Sequence, residues 1–186
     1  MIGNDIIDLT CAKSESNWRR KGYLNKIFTD YEQKEIISHT KPDILIWILW
    51  SMKEAAYKAN HRITNVKEYS PTKIRCNIIN NNNNNIYNAN VDYNGIRFNT
   101  QTQVFEDYIH TVSLYNSNDF SKIKEINIKN YPENYISYIS EMNYLKSEEY
   151  ILKDKNGIPN LHNNTNNIIK PISISHHGKF LSIIVN

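Results

Sequence analysis

The sequence predicts an α+β fold of two pseudo-symmetric halves, in which antiparallel sheets pack against helices. Residues 86–93 alternate apolar and polar side chains and are followed by Asn94-Gly95, the pattern of a strand entering a two-residue hairpin turn. Residues 44–60 instead carry apolar side chains at helical intervals. The pattern Asp-x-Asn-Gly-Ile occurs at Asp92 and again at Asp154, as two related halves would produce.

The elements of the first half follow in order from local signals. Residues 2–9 read as a strand because isoleucines flank two aspartates. Thr29 and Glu32 form a capping box, which predicts a helix from there to about residue 39. A loop containing Pro42 then leads to the helix at 44–60. Further strands are predicted at 72–79, 86–93, 96–102 and 108–115, with the asparagines 80–85 as a solvated hairpin loop.

The second half begins with a short strand near residues 123–128. A helix is predicted after Pro132, because apolar residues recur at helical spacing: Ile136, Ile139, Met142 and Leu145. The final segment places two apolar strands on either side of residues 175–178, Ser-His-His-Gly. We therefore expect one domain, 1–186, with halves at about 1–116 and 117–186.

Composition narrows the class of protein. The chain has 186 residues, of which 40% are hydrophobic, enough to fill the core of one domain. Its net charge of +3 is a weak argument for nucleic acid and favours an acidic or phosphate-bearing partner. No apolar run approaches the roughly 20 residues of a membrane span, and the first residues lack a secretory pattern, so we expect a cytoplasmic protein. Cys11 and Cys76 are expected to be free thiols.

The helix at 44–60 carries a charged pair, Lys53-Glu54, beside much apolar bulk. A core face is predicted for Leu45, Ile48, Leu49, Met52, Ala56 and Ala59. Glu54 falls on a second, aromatic-rich face, with Lys53 at its border. This helix alone is compatible with an exposed i,i+4 pair between Glu54 and Lys58. Such exposed pairs are ordinary on helices, and the alternative is a partly desolvated carboxylate that needs a cation, beside a lysine that binds an anion.

Three short motifs together resemble the 4'-phosphopantetheinyl transferase superfamily: GNDIIDL near the start, WSMKEAAYKA in the middle and GIP…PISISHH near the end. Their order is similar to that of the compact holo-acyl-carrier-protein synthases. The length and the repeated Asn-Gly-Ile pattern instead suit the two-half architecture of the surfactin-type enzymes. The resemblance thus implies a monomer whose site lies between its halves, and the alternative is a trimer with sites between subunits.

The resemblance implies a reaction and roles for several residues. The 4'-phosphopantetheine group of coenzyme A is transferred to a serine of an apo acyl or peptidyl carrier protein, with Mg²⁺ as cofactor. Asp5 and Glu54 match the metal ligands, and Glu54 is the candidate acceptor of the serine proton. Lys53 and Lys58 match positions that contact phosphate, and Lys53 joins Glu54 as a candidate catalytic residue.

Further coenzyme contacts are implied near the end of the chain and near residue 20. Ser175 and His176 match the pair that contacts the coenzyme's phosphates. Arg19 and Arg20, followed by Lys21, are candidates for contact with the coenzyme or with an acidic carrier protein, or else belong to a solvated surface.

The chain also departs from the family pattern. Ile7 stands where surfactin-type enzymes have a second acid, and Asp8 is expected to cap a turn instead of binding metal. Ile158 stands where many relatives have a lysine that helps to hold the coenzyme, a loss for which Lys153 or Lys155 could compensate.

Two other classes stay open, the first because of these departures and the second because of the mild positive charge and the tyrosines. One is a non-catalytic protein that binds coenzyme A or a carrier protein. The other is a mildly basic nucleic-acid-binding protein that uses its tyrosines for stacking. The sequence does not separate fatty acid synthesis from polyketide or peptide synthesis.

Overall fold

A computed structural model describes residues 1–82, 85–132, 134–135 and 145–186 of the chain. It confirms the predicted α+β class, with two five-stranded antiparallel sheets packed with helices. Elements of the first half are β1 Ile2–Asp8, α1 Leu9–Glu15, α2 Tyr23–Ile27, α3 Asp30–Ser38, α4 Pro42–Thr64, β2 Arg75–Asn82, β3 Ile86–Tyr93, β4 Ile96–Val104 and β5 Tyr108–Tyr115. Those of the second half are β6 Lys124–Lys129, β7 Glu149–Lys153, β8 Pro159–Asn163, β9 Ile169–His177 and β10 Phe180–Val185.

The two sheets have the same topology. The first has the strand order β1-β5-β4-β3-β2, and the second has the order β6-β10-β9-β8-β7. In each sheet the opening strand lies at one edge, antiparallel to the last strand of the meander that follows it along the chain. β1 thus corresponds to β6, β4 to β9 and β5 to β10. The proposed boundary between residues 116 and 117 falls in the segment that joins β5 to β6.

The repeated Asn-Gly-Ile pattern does not mark equivalent turns. Asn94-Gly95 joins β3 to β4, and both residues have positive φ, 51° and 76°, as this hairpin requires. The second copy, Asp154 to Ile158, joins β7 to β8. Its counterpart in the first sheet is the β2–β3 connection. The resemblance between the two segments therefore reflects common turn chemistry, whereas the strand order itself relates the halves.

Helix α4 is the central element of the first core. It begins at Pro42, which is tolerated at the first helical position because it has no N–H to leave unpaired. It ends at Thr64, four residues beyond the predicted end, with Asn65 in the left-handed conformation. All six predicted core-face residues are buried, and Trp47 is buried as well. The helix is therefore covered on most sides.

Helices α1 to α3 surround the start of α4. The capping box predicted at Thr29 is present, with reciprocal hydrogen bonds between Thr29 and Glu32. The short helices α1 and α2 were not predicted. Asp8 caps α1, because its Oδ1 accepts from the N–H groups of Thr10 and Cys11, as expected for a strand-end residue. Both cysteines, Cys11 and Cys76, are free.

Two predicted connections differ from the structure. The strand expected from residue 72 begins at Arg75, after a short 3-10 turn at Pro71–Lys73. The asparagine run, expected to be entirely loop, contributes its first three residues to β2, which pairs with β3 across an irregularity near Ile78. The predicted helix residues Ile136, Ile139 and Met142 lie outside the described residues, and Leu145 is buried in the second core.

The halves meet where β1 crosses β9 and β10. The N–H of Asn4 donates to Ser173 Oγ at 3.0 Å, and its side-chain amide donates to Ser182. The N–H of Asp8 donates to His177 Nδ1 at 2.9 Å. Ile2, Val112, Leu114 and Ile184 form a small apolar cluster across the same junction. β1 thus belongs to the first sheet by strand pairing and contacts the second sheet through its other edge.

Within the described ranges, no helix combines the length and the apolar character that crossing a membrane would require.

Candidate active site

The site starts from a close approach of α4 to β1 at Gly3. A Cβ atom added to Gly3 would lie 2.1 Å from the carbonyl oxygen of Ala55 and 2.6 Å from the nitrogen of Ala59. Only glycine therefore lets the helix rest on the strand backbone at this point. Asp5, two residues later, projects from the same face of the strand as Gly3 and so points towards the helix.

Asp5 and Glu54 form a desolvated carboxylate pair. Asp5 is 9% exposed, and its pKa is raised to about 7, mainly by burial and in part by the charge of Glu54, against the opposing charge of Lys58. Glu54 is half-buried, and burial raises its pKa as well, opposed by Lys58 and by Tyr69. The two side chains that the sequence assigned to one site are thus brought together. Carboxylates in this environment are stabilised by a bound cation.

Lys58 bridges the helix and the strand. Its ammonium donates to the carbonyl oxygen of Asn4 at 2.8 Å and lies 3.4 Å from Asp5 Oδ1. The exposed i,i+4 pair between Glu54 and Lys58 is therefore not the arrangement adopted, because Lys58 is directed to β1. One lysine cannot neutralise two carboxylates, so the local charge of the three groups is negative when all are ionised.

Several buried oxygens around the pair have no hydrogen-bond partner among the described residues: Asp5 Oδ2, Ser51 Oγ and Tyr69 OH. Buried polar atoms are normally paired, so unpaired oxygens point to a missing ligand. Oxygen donors suit a hard cation such as Mg²⁺. The described part of the chain contains no cluster of three or more His, Cys, Asp or Glu side chains arranged to hold a metal. Two carboxylates would leave coordination positions on Mg²⁺ for water and for phosphate oxygens of a substrate, the ligands that Mg²⁺ commonly has in proteins.

A cavity of about 240 Å³ is shared by the two halves, and Lys58, which contacts Asp5, forms part of its wall. The C-terminal part of α4 supplies Lys58, His61 and Arg62, while the second half supplies Lys153 and His176. Residues 157–159 and part of β9 complete the wall. These five nitrogen-bearing side chains come from α4, β7 and β9 and line one space, and three of them, Lys58, Arg62 and Lys153, are cationic. Such a concentration of positive charge favours a phosphate-bearing ligand.

His176 reaches the cavity, whereas Ser175 faces the opposite side of β9. The ring of His176 lies 5.8 Å and 5.6 Å from the rings of Tyr131 and Tyr135. Burial lowers its pKa, and the charges of Lys58 and Lys153 lower it further. The buried Ser175 Oγ points with Ser173 towards β1 and has no partner within the described ranges. The pair also lies within β9, not in the turn after it.

A family model described as the 4'-phosphopantetheinyl transferase superfamily matches residues 1–113, more than half of the chain. The chain belongs to this superfamily. Comparison with curated proteins gave no match. The matched region contains Asp5, Glu54 and Lys58 and ends before β9. Membership supports phosphopantetheinyl transferase activity in general, with coenzyme A and a carrier protein as the general substrates of the superfamily.

Two cavity residues of this phosphopantetheinyl transferase were missed by the sequence reasoning. Arg62 donates to Asn160 Oδ1 at 2.8 Å and to the carbonyl oxygens of Pro159 and Ile172 at 2.6 and 2.5 Å, so it ties the two halves together at the cavity. His61 stacks on Tyr57 with ring centroids 6.0 Å apart. The available signal was helical spacing, because both residues follow Lys58 by three or four positions.

The two departures from the superfamily pattern have clear structural settings. Ile7 is buried in the first core and supplies no metal ligand. Ile158 lines the cavity with an apolar side chain, and Lys153 lines the same cavity, which supports the expected compensation by that lysine. Asp8 binds backbone N–H groups at the end of β1 and at Lys179, away from the carboxylate pair.

Lys53 does not reach the site, and its assignment to a coenzyme phosphate and to catalysis does not fit its placement. Its side chain is completely buried and forms an ion pair with Glu32 Oε2 at 2.8 Å. The ammonium also donates to the carbonyl oxygens of Pro71 and Ile74. These partners use all three ammonium donors. Lys53 therefore anchors α4 to α3 and to the segment before β2.

Arg19 and Arg20 also lie away from the cavity. Arg19 makes a two-pronged ion pair with Asp43, at 2.6 and 3.0 Å, and its guanidinium stacks 4.0 Å from the ring of Trp18. Arg20 stacks on Tyr23. Asp43 is at the N-terminal end of α4, roughly 28 Å along the helix axis from Arg62. A coenzyme contact within the cavity is therefore not available to Arg19, and contact with a carrier protein stays a prediction.

Proposed function

We propose that this chain catalyses the Mg²⁺-dependent transfer of 4'-phosphopantetheine from coenzyme A to a serine of an apo acyl or peptidyl carrier protein. The products are the holo carrier protein and adenosine 3',5'-bisphosphate. One observation carries the proposal: Lys58, which contacts Asp5 of the desolvated Asp5–Glu54 pair, also lines a positively charged cavity built by both halves of one chain. This is the pairing of features that phosphoryl transfer from a pyrophosphate donor requires.

In the proposed reaction the serine oxygen forms a bond to the phosphorus of the phosphopantetheine group. The bond from that phosphorus to the bridging pyrophosphate oxygen breaks, and adenosine 3',5'-bisphosphate departs with the bonding electrons. Glu54 accepts the serine proton, and its raised pKa brings it nearer to that of an effective general base at neutral pH. Lys58, Arg62 and Lys153 hold and neutralise the phosphates.

Asp5 and Glu54 are the residues that would hold Mg²⁺. The unpaired Oδ2 of Asp5 and the desolvated carboxylate of Glu54 fit a hard cation, and the positions left open by a two-carboxylate site fit the phosphate oxygens of the donor. When bound, Mg²⁺ supplies charge stabilisation to those oxygens. His176 contributes a neutral ring that can donate a hydrogen bond to phosphate, because its lowered pKa keeps it uncharged at neutral pH.

The decisive experiment measures the mass of an apo carrier protein after incubation with coenzyme A, Mg²⁺ and this protein. We expect the carrier protein to gain the mass of one phosphopantetheine group. Asp5→Asn and Glu54→Gln should abolish the gain, while Asp92→Asn, which alters an exposed ion pair with Arg97, should retain it. No gain across a panel of fatty acid, polyketide and peptide carrier proteins would contradict the proposal.

The alternative is a non-catalytic protein of the same fold that binds coenzyme A or a carrier protein. The apolar residue Ile158 in the cavity wall and the buried Ile7 are the observations that favour it. This alternative predicts coenzyme A binding that does not depend on Mg²⁺, and no covalent product. Calorimetric titration of coenzyme A with and without Mg²⁺ therefore separates the two functions.

We further propose that a monomer is sufficient for activity, because both walls of the cavity come from one chain. The trimer, in which sites form between subunits, is the competing arrangement. Specific activity that stays constant on dilution, together with a mass near 21.9 kDa by light scattering, would support the monomer.

A further inference from the structure

Tyr69 lies in the segment that joins α4 to β2, and this segment is held firmly on both sides of the residue. Lys53 donates to the carbonyl oxygens of Pro71 and Ile74. On the other side, the hydroxyl of Tyr93 donates to the carbonyl oxygen of Glu68 at 2.8 Å. The backbone next to Tyr69 is therefore anchored by side chains from two separate elements.

The ring of Tyr69 packs over the face of α4 that carries Glu54. It contacts Trp50, with centroids 6.1 Å apart, and Tyr57, with centroids 4.9 Å apart, both in edge-to-face geometry. Trp50 and Tyr57 precede and follow Glu54 by four and three residues, so they are its neighbours on the helix surface. The rings of Trp50 and Tyr57 thus fix the orientation of Tyr69 over the helix face that carries Glu54.

The hydroxyl of Tyr69 is buried in this position and has no hydrogen-bond partner at bonding distance in the described part of the chain. Buried tyrosine hydroxyls usually find a partner. Glu54 is the nearby acceptor: burial raises the pKa of Tyr69, and the charge of Glu54 raises it further. Hydrogen bonds at active sites are often longer before substrate binds than in the reacting complex.

We propose that Tyr69 is a positioning residue whose hydroxyl donates a hydrogen bond to the Glu54 carboxylate and fixes the orientation of that carboxylate towards Asp5. The inference rests on the proposed function and extends it. When one oxygen of a carboxylate accepts a hydrogen bond from a donor of fixed position, the other oxygen points in a defined direction. Partners of this kind around a metal ligand typically change metal affinity by about 10- to 100-fold when removed.

The test is Tyr69→Phe, which removes the hydroxyl and keeps the ring between Trp50 and Tyr57. We expect kcat to fall by about tenfold with an unchanged KM for coenzyme A, and the Mg²⁺ dissociation constant from calorimetry to rise by about tenfold. Tyr93→Phe is the matched control, because it removes a hydroxyl that anchors the same segment through Glu68. Equal effects of the two substitutions would show that Tyr69 acts only through packing, and would overturn the inference.

A spectroscopic measurement tests the contact independently of transfer. In protein labelled with ¹³C at tyrosine Cζ, the Tyr69 signal is assigned by its absence in Tyr69→Phe. We expect Glu54→Gln to shift this signal and to leave that of Tyr93 in place. A Tyr69 signal that does not respond to Glu54→Gln excludes the hydrogen bond. The result stands even if no carrier protein is modified, so it separates failure of this inference from failure of the proposed function.

Discussion

At the scale of single residues, Gly3 determines how closely α4 approaches β1 and therefore how closely the two carboxylates approach each other. The helix backbone at Ala55 and Ala59 occupies the space that a side chain on Gly3 would need. The atoms that would clash belong to backbone, which cannot rotate away. The glycine of the Gly-x-Asp motif thus acts through helix placement, and the aspartate acts through its carboxylate.

Gly3→Ala is expected to destabilise the protein by at least about 1–3 kcal/mol, because the new Cβ must displace α4. Urea unfolding followed by circular dichroism measures the change. Ser113→Ala is a suitable control, since Ser113 lies opposite Gly3 on β5 and its buried hydroxyl has no partner among the described residues. A Gly3→Ala protein with native stability and activity would disprove the close approach.

Lys53→Met is expected to destabilise the protein by about 3–5 kcal/mol, because it leaves the Glu32 carboxylate buried without a countercharge. Adding Glu32→Gln should restore part of the loss. The KM for coenzyme A of the folded protein should not change, because Lys53 makes no contact with the cavity. A tenfold higher KM for coenzyme A at unchanged stability would instead indicate that Lys53 contacts a coenzyme phosphate.

Short motifs were sufficient to predict that Asp5, Glu54 and Lys58 lie together, because each of these residues is placed by one strand or one helix. They were insufficient for Lys53. Helical spacing placed this lysine at the border of the aromatic face, but its burial depends on Glu32, which is 21 residues away and also serves in a capping box. The Lys53–Glu32 ion pair depends on how α3 packs against α4, and short sequence motifs do not determine that packing.

At the scale of elements, the last turn of α4 connects the two halves. Arg62 binds three acceptors of the second half and lines the cavity. Burial lowers the pKa of its guanidinium, opposed by the charge of Asp154. The same side chain therefore contributes both to stability and to the charge of the cavity between the halves.

Arg62→Ala should lower stability by about 2–3 kcal/mol, since it leaves acceptors of a charged donor unpaired. It should also raise the KM for coenzyme A, because the cavity loses one positive charge. Denaturation and steady-state kinetics measure the two effects. Arg97→Ala, at an exposed ion pair, is expected to change neither property appreciably; a similar loss in both variants would argue against a specific role for Arg62.

Elements with strong local signals were predicted well. The capping box located α3, and the positive φ requirement located the Asn94-Gly95 turn. The helices α1 and α2 have seven and five residues, too few for a periodic pattern. Asparagines 80–82 extend β2 because their backbones pair with the neighbouring strand β3. This strand pairing outweighs the low intrinsic strand propensity of asparagine.

At the scale of the whole molecule, the two sheets are joined by polar as well as apolar contacts. His110 of β5 lies 2.9 Å from Ser182 of β10 through Nε2 and 3.5 Å from Glu125 of β6 through Nδ1. The hydrogen bond with His110 lowers the pKa of Glu125 in spite of its partial burial. This carboxylate therefore favours the folded state when it is ionised.

The pH dependence of stability follows from the sign of that shift. A carboxylate with a depressed folded-state pKa contributes stability above its unfolded value, about 4.3 for glutamate, and loses it as the pH falls through the folded value. We expect the urea midpoint to fall more steeply below about pH 4.3 in the native protein than in Glu125→Gln. Parallel curves for the two proteins would contradict this contribution.

The strand order has a consequence for synthesis of the chain. β10 lies between β6 and β9, so the second sheet cannot close until residue 185 has been translated. The carboxylates of β1 and α4 are made within the first third of the chain, long before Lys153 and β9 are available to form the other wall of the cavity. A ribosome-bound intermediate would thus carry the acidic groups before the cavity exists, and the complete cavity would form only after β10 has been translated.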